Sequence, residues 1–350
     1  GSSGRHSARL RGRGPAGRAA GRRGEGGGMA KRAEPSVGAS VVVPGGRRGI
    51  IELDNEDGTW NVRCEDGTEA DVPAGDVRLA SGVDNGLYSG RARLASPEEP
   101  RPEGWTRFAC FSDTHGKHGK IPQAHLPEVD VLLHAGDFSN TGEIEQVRSF
   151  AEWLRGYPAK HKVVIAGNHD VTFHPDYYQH AWKRYHRRPY ACDEARAALA
   201  CSGACQYLED AEAEVLGYKI YGTPWQPAFC DWAFNLQSAA ESLAAWDRIP
   251  ADADVLLVHG PPHGQGDECV GGRRVGCQLL AACVRERALP VVVAGHIHEG
   301  YGAAGDGPTL YVNASTCNLS YQPVNPPIVF DLPPPDELRG PCLERGRAGS

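Results

Sequence analysis

The 350-residue chain has one methionine, no apolar run near the roughly 18 residues that a membrane-spanning helix needs, and no Cys-x-x-Cys pair among 11 cysteines. The missing apolar run excludes a helical membrane protein. The missing cysteine pairs leave no sign of a disulfide framework or a thiolate zinc site. An odd cysteine count, scattered from Cys64 to Cys342, fits a reducing compartment and so the cytoplasm. Acid is nearly absent at the start. Glu25 stands alone there against nine Lys/Arg in residues 1–33, so that segment carries +8. A chain of net −7 therefore leaves −15 for residues 34–350, a body too acidic to offer a general nucleic-acid surface.

Large apolar side chains are also scarce before residue 36, where Leu10 and Met29 stand alone. Residues 1–36 are rich in Arg, Gly and Ala, and are expected to be a disordered leader. Met29 reads as a start, with residues 1–28 as an added segment. A transit peptide directing the chain to an organelle is the rival, weakened by the scarcity of serine. From residue 37 to 82, short β runs alternate with Pro44-Gly45-Gly46, Asp57-Gly58 and Asp66-Gly67, which are hairpin signals. The expectation is a small SH3-like or Tudor-like β-barrel with Trp60 in its core. The alternative is a module that uses Trp60 to bind a peptide, nucleic acid or other unassigned ligand. Residues 83–104, with Pro97, Pro100 and Pro102, read as a linker, and 333–350 as a disordered tail.

Residues 105–332 alternate buried-strand runs (108–111, 129–133, 162–165, 254–258 and 290–293) with helical stretches (142–156, 194–201, 238–246 and 278–287). That pattern is α/β. Each strand run ends in polar residues beside glycine. These are Asp113-Thr114-His115, Gly136-Asp137, Gly167-Asn168-His169-Asp170, His259-Gly260 and Gly295-His296-Ile297-His298. Side chains at strand C-terminal ends converge on one crevice, and glycine lets backbone approach closely. Read as extended backbone, Asp113 and His115, and likewise His296 and His298, would face the same side. The set without His169 and Asp170 holds two Asp, one Asn and four His. Such ligands suit Mn²⁺, Fe or Zn²⁺, and their number suits two ions sharing a carboxylate. Two ions are the standard device for in-line attack at phosphorus. Each piece alone has a plainer reading, as a turn or a hydrogen-bonded core histidine; five together do not.

The same set of motifs resembles the calcineurin-like metallophosphoesterases. Residues 106–332 are closer still to the metallophosphoesterase-domain-containing subfamily. That closer likeness rests on stretches such as Gly222-Thr223-Pro224-Trp225, Asp231-Trp232-Ala233-Phe234-Asn235 and Asn313-Ala314-Ser315-Thr316-Cys317. The resemblance implies a four-layer αββα sandwich with a dinuclear site at the sheet edges. It also implies that Asp113, His115 and His298 hold one divalent ion and Asn168, His259 and His296 the other, with Asp137 bridging. Hydroxide held on the metals, Mn²⁺ first among candidates, would attack phosphorus. His169 would protonate the leaving oxygen, oriented by Asp170.

The expected activity is that of a phosphodiesterase on a small phosphoester, nucleotides included. The alternative is a metal- or nucleotide-binding scaffold with little activity. Arg273 and Arg274 are candidates for contacting a substrate phosphate, with a solvated loop charge as the rival. The stretch 171–216, with Tyr177, Tyr178, Trp182 and Tyr185, is either a lid or a covering layer. His118, His125, His134 and His263 are read as structural or exposed.

Overall fold

The computed structural model describes residues 91–306 and 308–340, together with the strands between Ser40 and Tyr88, chiefly as backbone. Near the start, β1 (Ser40–Val43), β2 (Arg47–Asp54), β3 (Thr59–Cys64), β4 (Glu69–Pro73) and β5 (Arg78–Leu79) pair antiparallel in the order β4-β3-β2-β1-β5. These are the short strands expected from the turn residues between them. Their connecting loops, and with them closure into a barrel, lie outside the described residues, as do the leader and residues 341–350.

Two larger sheets carry the rest. The first runs β11 (Gln206–Tyr207), β10 (Ala159–Val164), β9 (Val129–His134), β8 (Thr106–Phe111), β20 (Ile328–Leu332), β7 (Ala92–Leu94), β6 (Leu87–Tyr88). The second runs β12 (Ala211–Val215), β13 (Tyr218–Thr223), β16 (Val255–Val258), β17 (Val291–Ala294), β19 (Thr309–Asn313), β18 (Gly302–Asp306). The central strands of each are parallel. A short pair, β14 (Gln226–Pro227) with β15 (Asn235–Leu236), lies apart.

Period-two side-chain alternation explains the layering. Phe108, Cys110, Val131 and Leu133 meet Ile220, Val255, Leu257 and Val293 in a core between the sheets. The alternate residues Ala109, Phe111 and Leu132 pack under α1 (Ile144–Gly156) and α3 (Cys192–Ala200). On the far side, Leu256, Val258 and Val292 pack under α4 (Ala239–Trp246) and α5 (Gln278–Arg287). The order of layers is helix, sheet, sheet, helix, which is why these strands read as unbroken apolar runs. Ser238 caps α4 by accepting from the Glu241 amide at 3.2 Å.

Two expected boundaries move. The stretch 83–104 is not only linker. Within it β7 pairs with β20, and Ala92 and Leu94 are fully buried, because Leu94 supplies apolar area to the inter-sheet core. The tail contains α6 (Pro335–Leu338), whose Leu338 is buried in the same core. Arg339 after it bonds Asp254 and the Gly217 carbonyl, tying this end to the second sheet.

Candidate metal centre

Parallel strands deliver their C-terminal ends to one edge, and the polar strand ends meet there. Backbone bonds stitch the loops: Asp113 N donates to Gly136 O (2.9 Å), His115 N to Asp137 O (2.9 Å) and Gly295 N to His259 O (3.0 Å). The local conformation is not the extended one expected. β8 ends at Phe111 and β17 at Ala294, and Asp113 (φ 52°), His115 (φ 43°), Asp137 (φ 55°) and His296 (φ 68°) all sit in the left-handed region. Extended pairs would have carried the side chains on along the sheet faces. Left-handed turns instead fold them back over the sheet edge, at about 1 kcal/mol or more each for a residue with a Cβ. Strain at this many neighbouring residues marks a site whose geometry the surrounding fold imposes.

Seven of the expected residues converge. His298 Nε2 lies 3.4 Å from Asp113 Oδ1, and His115 Nε2 lies 3.9 Å from both Asp113 Oδ1 and Asp137 Oδ2. His259 Nε2 lies 3.5 Å from Asp137 Oδ1 and 2.9 Å from Asn168 Oδ1. Donor atoms of Asp113, His115 and His298 fall within 4.8 Å of one another, as do those of Asp113, Asp137 and His259. So do those of His115, Asp137 and His169, a grouping that places His169 closer to the ligand atoms than a purely outer role requires. His296 joins no such triad. It stands beside His259, with ring centroids 5.0 Å apart, and its amide donates to Asp113 Oδ2 at 2.9 Å.

Whether these residues suit a cation is decided by atoms left over. Asp113 Oδ1 is buried without a hydrogen-bond partner, a costly state for a carboxylate unless a cation satisfies it. His259 Nδ1 faces Ala135 O at 2.8 Å and His298 Nδ1 faces Asn318 O at 3.0 Å. A carbonyl only accepts, so each Nδ1 carries a proton and each ring turns its Nε2 inward, the nitrogen that a cation would meet. The donor set fits a divalent ion.

The charges are shared tightly. Burial alone would raise Asp113, but His298, 3.4 Å away, and the charges of His259 and His115 hold its carboxyl well below the usual range. Asp137 is held low in the same way, chiefly by His259. Burial opposes a charged His259, yet Asp137 and then Asp113 raise it to about 9. Burial pushes His115 and His296 down to about 3. Asp170 is pushed up to about 8 by burial and then by Asp137, against the three donors that bond it.

Asp170 is not the partner of His169. Its Oδ1 accepts from the Ser139 amide (2.9 Å) and hydroxyl (2.6 Å), and its Oδ2 from the Gly167 amide (2.9 Å). That shapes the two loops but leaves nothing for the imidazole. His169 Nδ1 faces the Asn140 carbonyl at 2.9 Å instead, and its amide donates to Asp137 Oδ1 at 2.7 Å. Arg274 is likewise committed elsewhere, to buried Asp267 (3.0 Å) and to Glu268 (2.7 Å), so it steadies its own loop. His134 and His118 are structural, bonded to Thr114 and Ser149.

The motifs gave no sign of the aromatic rim. Trp232 stacks on His169 with centroids 4.1 Å apart, and Tyr321 packs edge-on against His115 at 4.7 Å. Phe229, half exposed, stands over His296 at 5.6 Å. Tyr321 is itself left-handed (φ 56°), the one signal beyond composition that sets it apart.

A two-sheet α/β fold with Asp, Asn and His at parallel strand ends defines a metal-dependent phosphoesterase class. The family profile described as Calcineurin-like phosphoesterase matches residues 106–300. Metallophosphoesterase domain-containing protein 1 of Homo sapiens is 45% identical over 248 residues, 68% of this chain and 74% of that one; the Mus musculus protein gives the same figures. A UPF0046 protein of Caenorhabditis elegans is 39% identical, over 69% of this chain and 63% of that one. The chain belongs to the calcineurin-like metallophosphoesterases, in their metallophosphoesterase-domain-containing branch. Among the described residues, no helix is long and apolar enough to cross a membrane.

If the cluster holds ions, they bind the folded state and not the unfolded chain. Metal at a hundredfold excess over its dissociation constant then adds about 2.7 kcal/mol per ion. Metal-stripped protein is expected to melt roughly 5–10 °C lower for each Mn²⁺ it has lost. Equal melting temperatures with and without Mn²⁺ would argue against the site.

Proposed function

We propose that the protein hydrolyses a small phosphoester, as a phosphodiesterase, at a centre of two divalent ions. Asp113, His115 and His298 would hold one ion and Asn168, His259 and His296 the other, with the Asp137 carboxylate between them. One observation carries the reading: the two oxygens of Asp137 face separate histidines, His115 and His259, from opposite sides of the cluster. Bound ions supply a water acidic enough to attack at neutral pH and positive charge against the phosphate oxygens. Mn²⁺ is the first choice among them for mixed carboxylate and imidazole ligands, with Fe and Zn²⁺ as rivals.

The chain's residues do the rest. Hydrolysis forms one P–O bond to water and breaks one to the leaving alcohol, which departs as a poor anion unless protonated. We assign that proton transfer to His169. Its Nδ1–H is occupied by the Asn140 carbonyl, so only Nε2 faces the cluster, and its backbone is tied to Asp137. The amide of Asn168 would offer a neutral ligand on the side of His259, so two ions would be held without a further buried negative charge.

The test uses metal-stripped protein resupplied with Mn²⁺, with diphenyl phosphate, bis-p-nitrophenyl phosphate and p-nitrophenyl phosphate as substrates. Metal is expected to restore diester hydrolysis above monoester hydrolysis. His169→Ala is expected to lose roughly 10²-fold on diphenyl phosphate, whose leaving group needs a proton, and far less on the p-nitrophenyl diester. A metal-loaded protein that turns over none of the three esters would favour the scaffold reading.

A further inference from the structure

The stretch 171–216 was expected as a lid or a cover. Its first half does something more specific: it reaches two supports of His169 from opposite directions. Towards one side, Tyr177 and Tyr185 hydroxyls donate to the Asp231 carbonyl at 2.6 and 3.2 Å, and Arg184 donates to the same oxygen at 3.1 Å and to the Asp231 carboxylate. The next residue is Trp232. Its indole lies on the His169 imidazole at 4.1 Å and 22°, while Tyr185 backs it with centroids 5.1 Å apart. Towards the other side, Tyr178 bonds His186 Nδ1 at 2.7 Å and His186 Nε2 bonds the Thr141 hydroxyl at 3.2 Å. Thr141 follows Asn140, whose carbonyl receives the His169 Nδ1 proton.

A single Nδ1–H···O bond leaves an imidazole free to rock about the line of that bond. His115 meets the ring only edge to face, at 4.5 Å and 78°, and does not stop that motion. A large ring stacked on one face does, because dispersion and shape both penalise tilting. Proton transfer in turn is steeply sensitive to aim: a misplacement near 1 Å costs about a hundredfold.

We propose that Trp232 is a positioning residue for His169, and that the segment Pro175–Ala181 with Trp182–Arg184 and the residues just after it is a brace that holds Trp232 and Asn140 in place rather than a lid that opens. The inference rests on His169 being the proton donor. In this role Trp232 acts through His169: it sets the angle from which Nε2 meets the leaving oxygen.

The test compares Trp232→Ala and Trp232→Phe with wild type and His169→Ala, all Mn²⁺-loaded, on diphenyl and bis-p-nitrophenyl phosphate. Trp232→Ala is expected to lose roughly 10–100-fold in kcat on diphenyl phosphate, about threefold or less on the p-nitrophenyl diester, and no metal. Trp232→Phe keeps a stacked ring and is expected to recover diphenyl phosphate hydrolysis to within about threefold. A second readout needs no metal and no turnover. In the metal-free protein, the His169 Cε1 proton, assigned as the signal absent from His169→Ala, is expected to lie upfield under the indole ring current and to move downfield in Trp232→Ala.

Equal losses on both esters, or none, would overturn the positioning role, and so would an unmoved Cε1 signal. If His169→Ala shows no dependence on the leaving group, the proton-donor reading has failed. The Cε1 signal then still decides whether Trp232 holds the ring.

Discussion

Asp137→Asn is expected to cut diester hydrolysis by roughly a thousandfold or more and to halve or abolish metal content, while leaving the protein folded. The substitution keeps the shape of the side chain and removes the one charge that both halves of the cluster share. Asp137 Oδ1 lies 3.5 Å from His259 Nε2 and accepts from the His169 amide at 2.7 Å, and Oδ2 lies 3.9 Å from His115 Nε2. A carboxamide satisfies one of these positions as an acceptor and presents N–H to the other. Loss of the metals' charge stabilisation is worth several kcal/mol, and each 1.36 kcal/mol is tenfold in rate. Asp113→Asn should be less selective in its damage, since Asp113 Oδ2 also bonds the His296 amide and the Ser315 hydroxyl and so holds the loops together. Metal analysis beside hydrolysis rates settles the matter. Asp137→Asn protein that keeps its metal and a tenth of its activity would remove the shared-carboxylate assignment.

The sequence disclosed the strands of this site for a physical reason. Near their C-terminal ends, strands buried on both faces have few polar positions to spend, so the first Asp, Asn or His after Phe111, His134, Val164, Val258 or Ala294 announces the sheet edge. The same reasoning placed the seven converging residues but mistook how they converge. Two-residue spacing looks like extended backbone in a string of letters, and the left-handed turns at Asp113, His115 and His296 leave no mark there, since none of these residues is glycine. The family resemblance assigned Asp170, the next residue in the chain, to His169. Adjacency in sequence says little about contact: its carboxylate points back to Ser139, and a carbonyl, Asn140 O, takes its place. Backbone carbonyls also orient His259 and His298, and no residue type encodes a carbonyl. Trp232 was legible only as part of a family stretch, because its partner His169 lies far away in the chain and meets it through the fold alone.

Gly295→Ala is expected to damage both the stability and the activity of the protein severely. A Cβ at this position would overlap Ser112 Oγ and Asp113 Oδ2 and would stand 2.5 Å from Ser112 Cβ. None of these atoms is free to retreat. Ser112 and Asp113 are fully buried, Asp113 Oδ2 is held by the His296 amide and the Ser315 hydroxyl, and Ser112 forms a bridge with Ser315. Overpacking a rigid interior costs typically 1–3 kcal/mol and more where backbone must move, so about 3 kcal/mol and a melting temperature roughly 10 °C lower are expected. The same displacement carries Asp113 off its line with His298, and with it about a hundredfold or more in rate. Gly119→Ala is the control, because a Cβ there meets nothing within 4 Å, and it should leave both melting temperature and rate unchanged. The contrast separates two meanings of glycine beside a ligand. If Gly295→Ala behaves like Gly119→Ala, glycine at this strand end serves chain flexibility alone. If it fails as expected, glycine is there because the metal-facing carboxylate occupies the space where a side chain would begin.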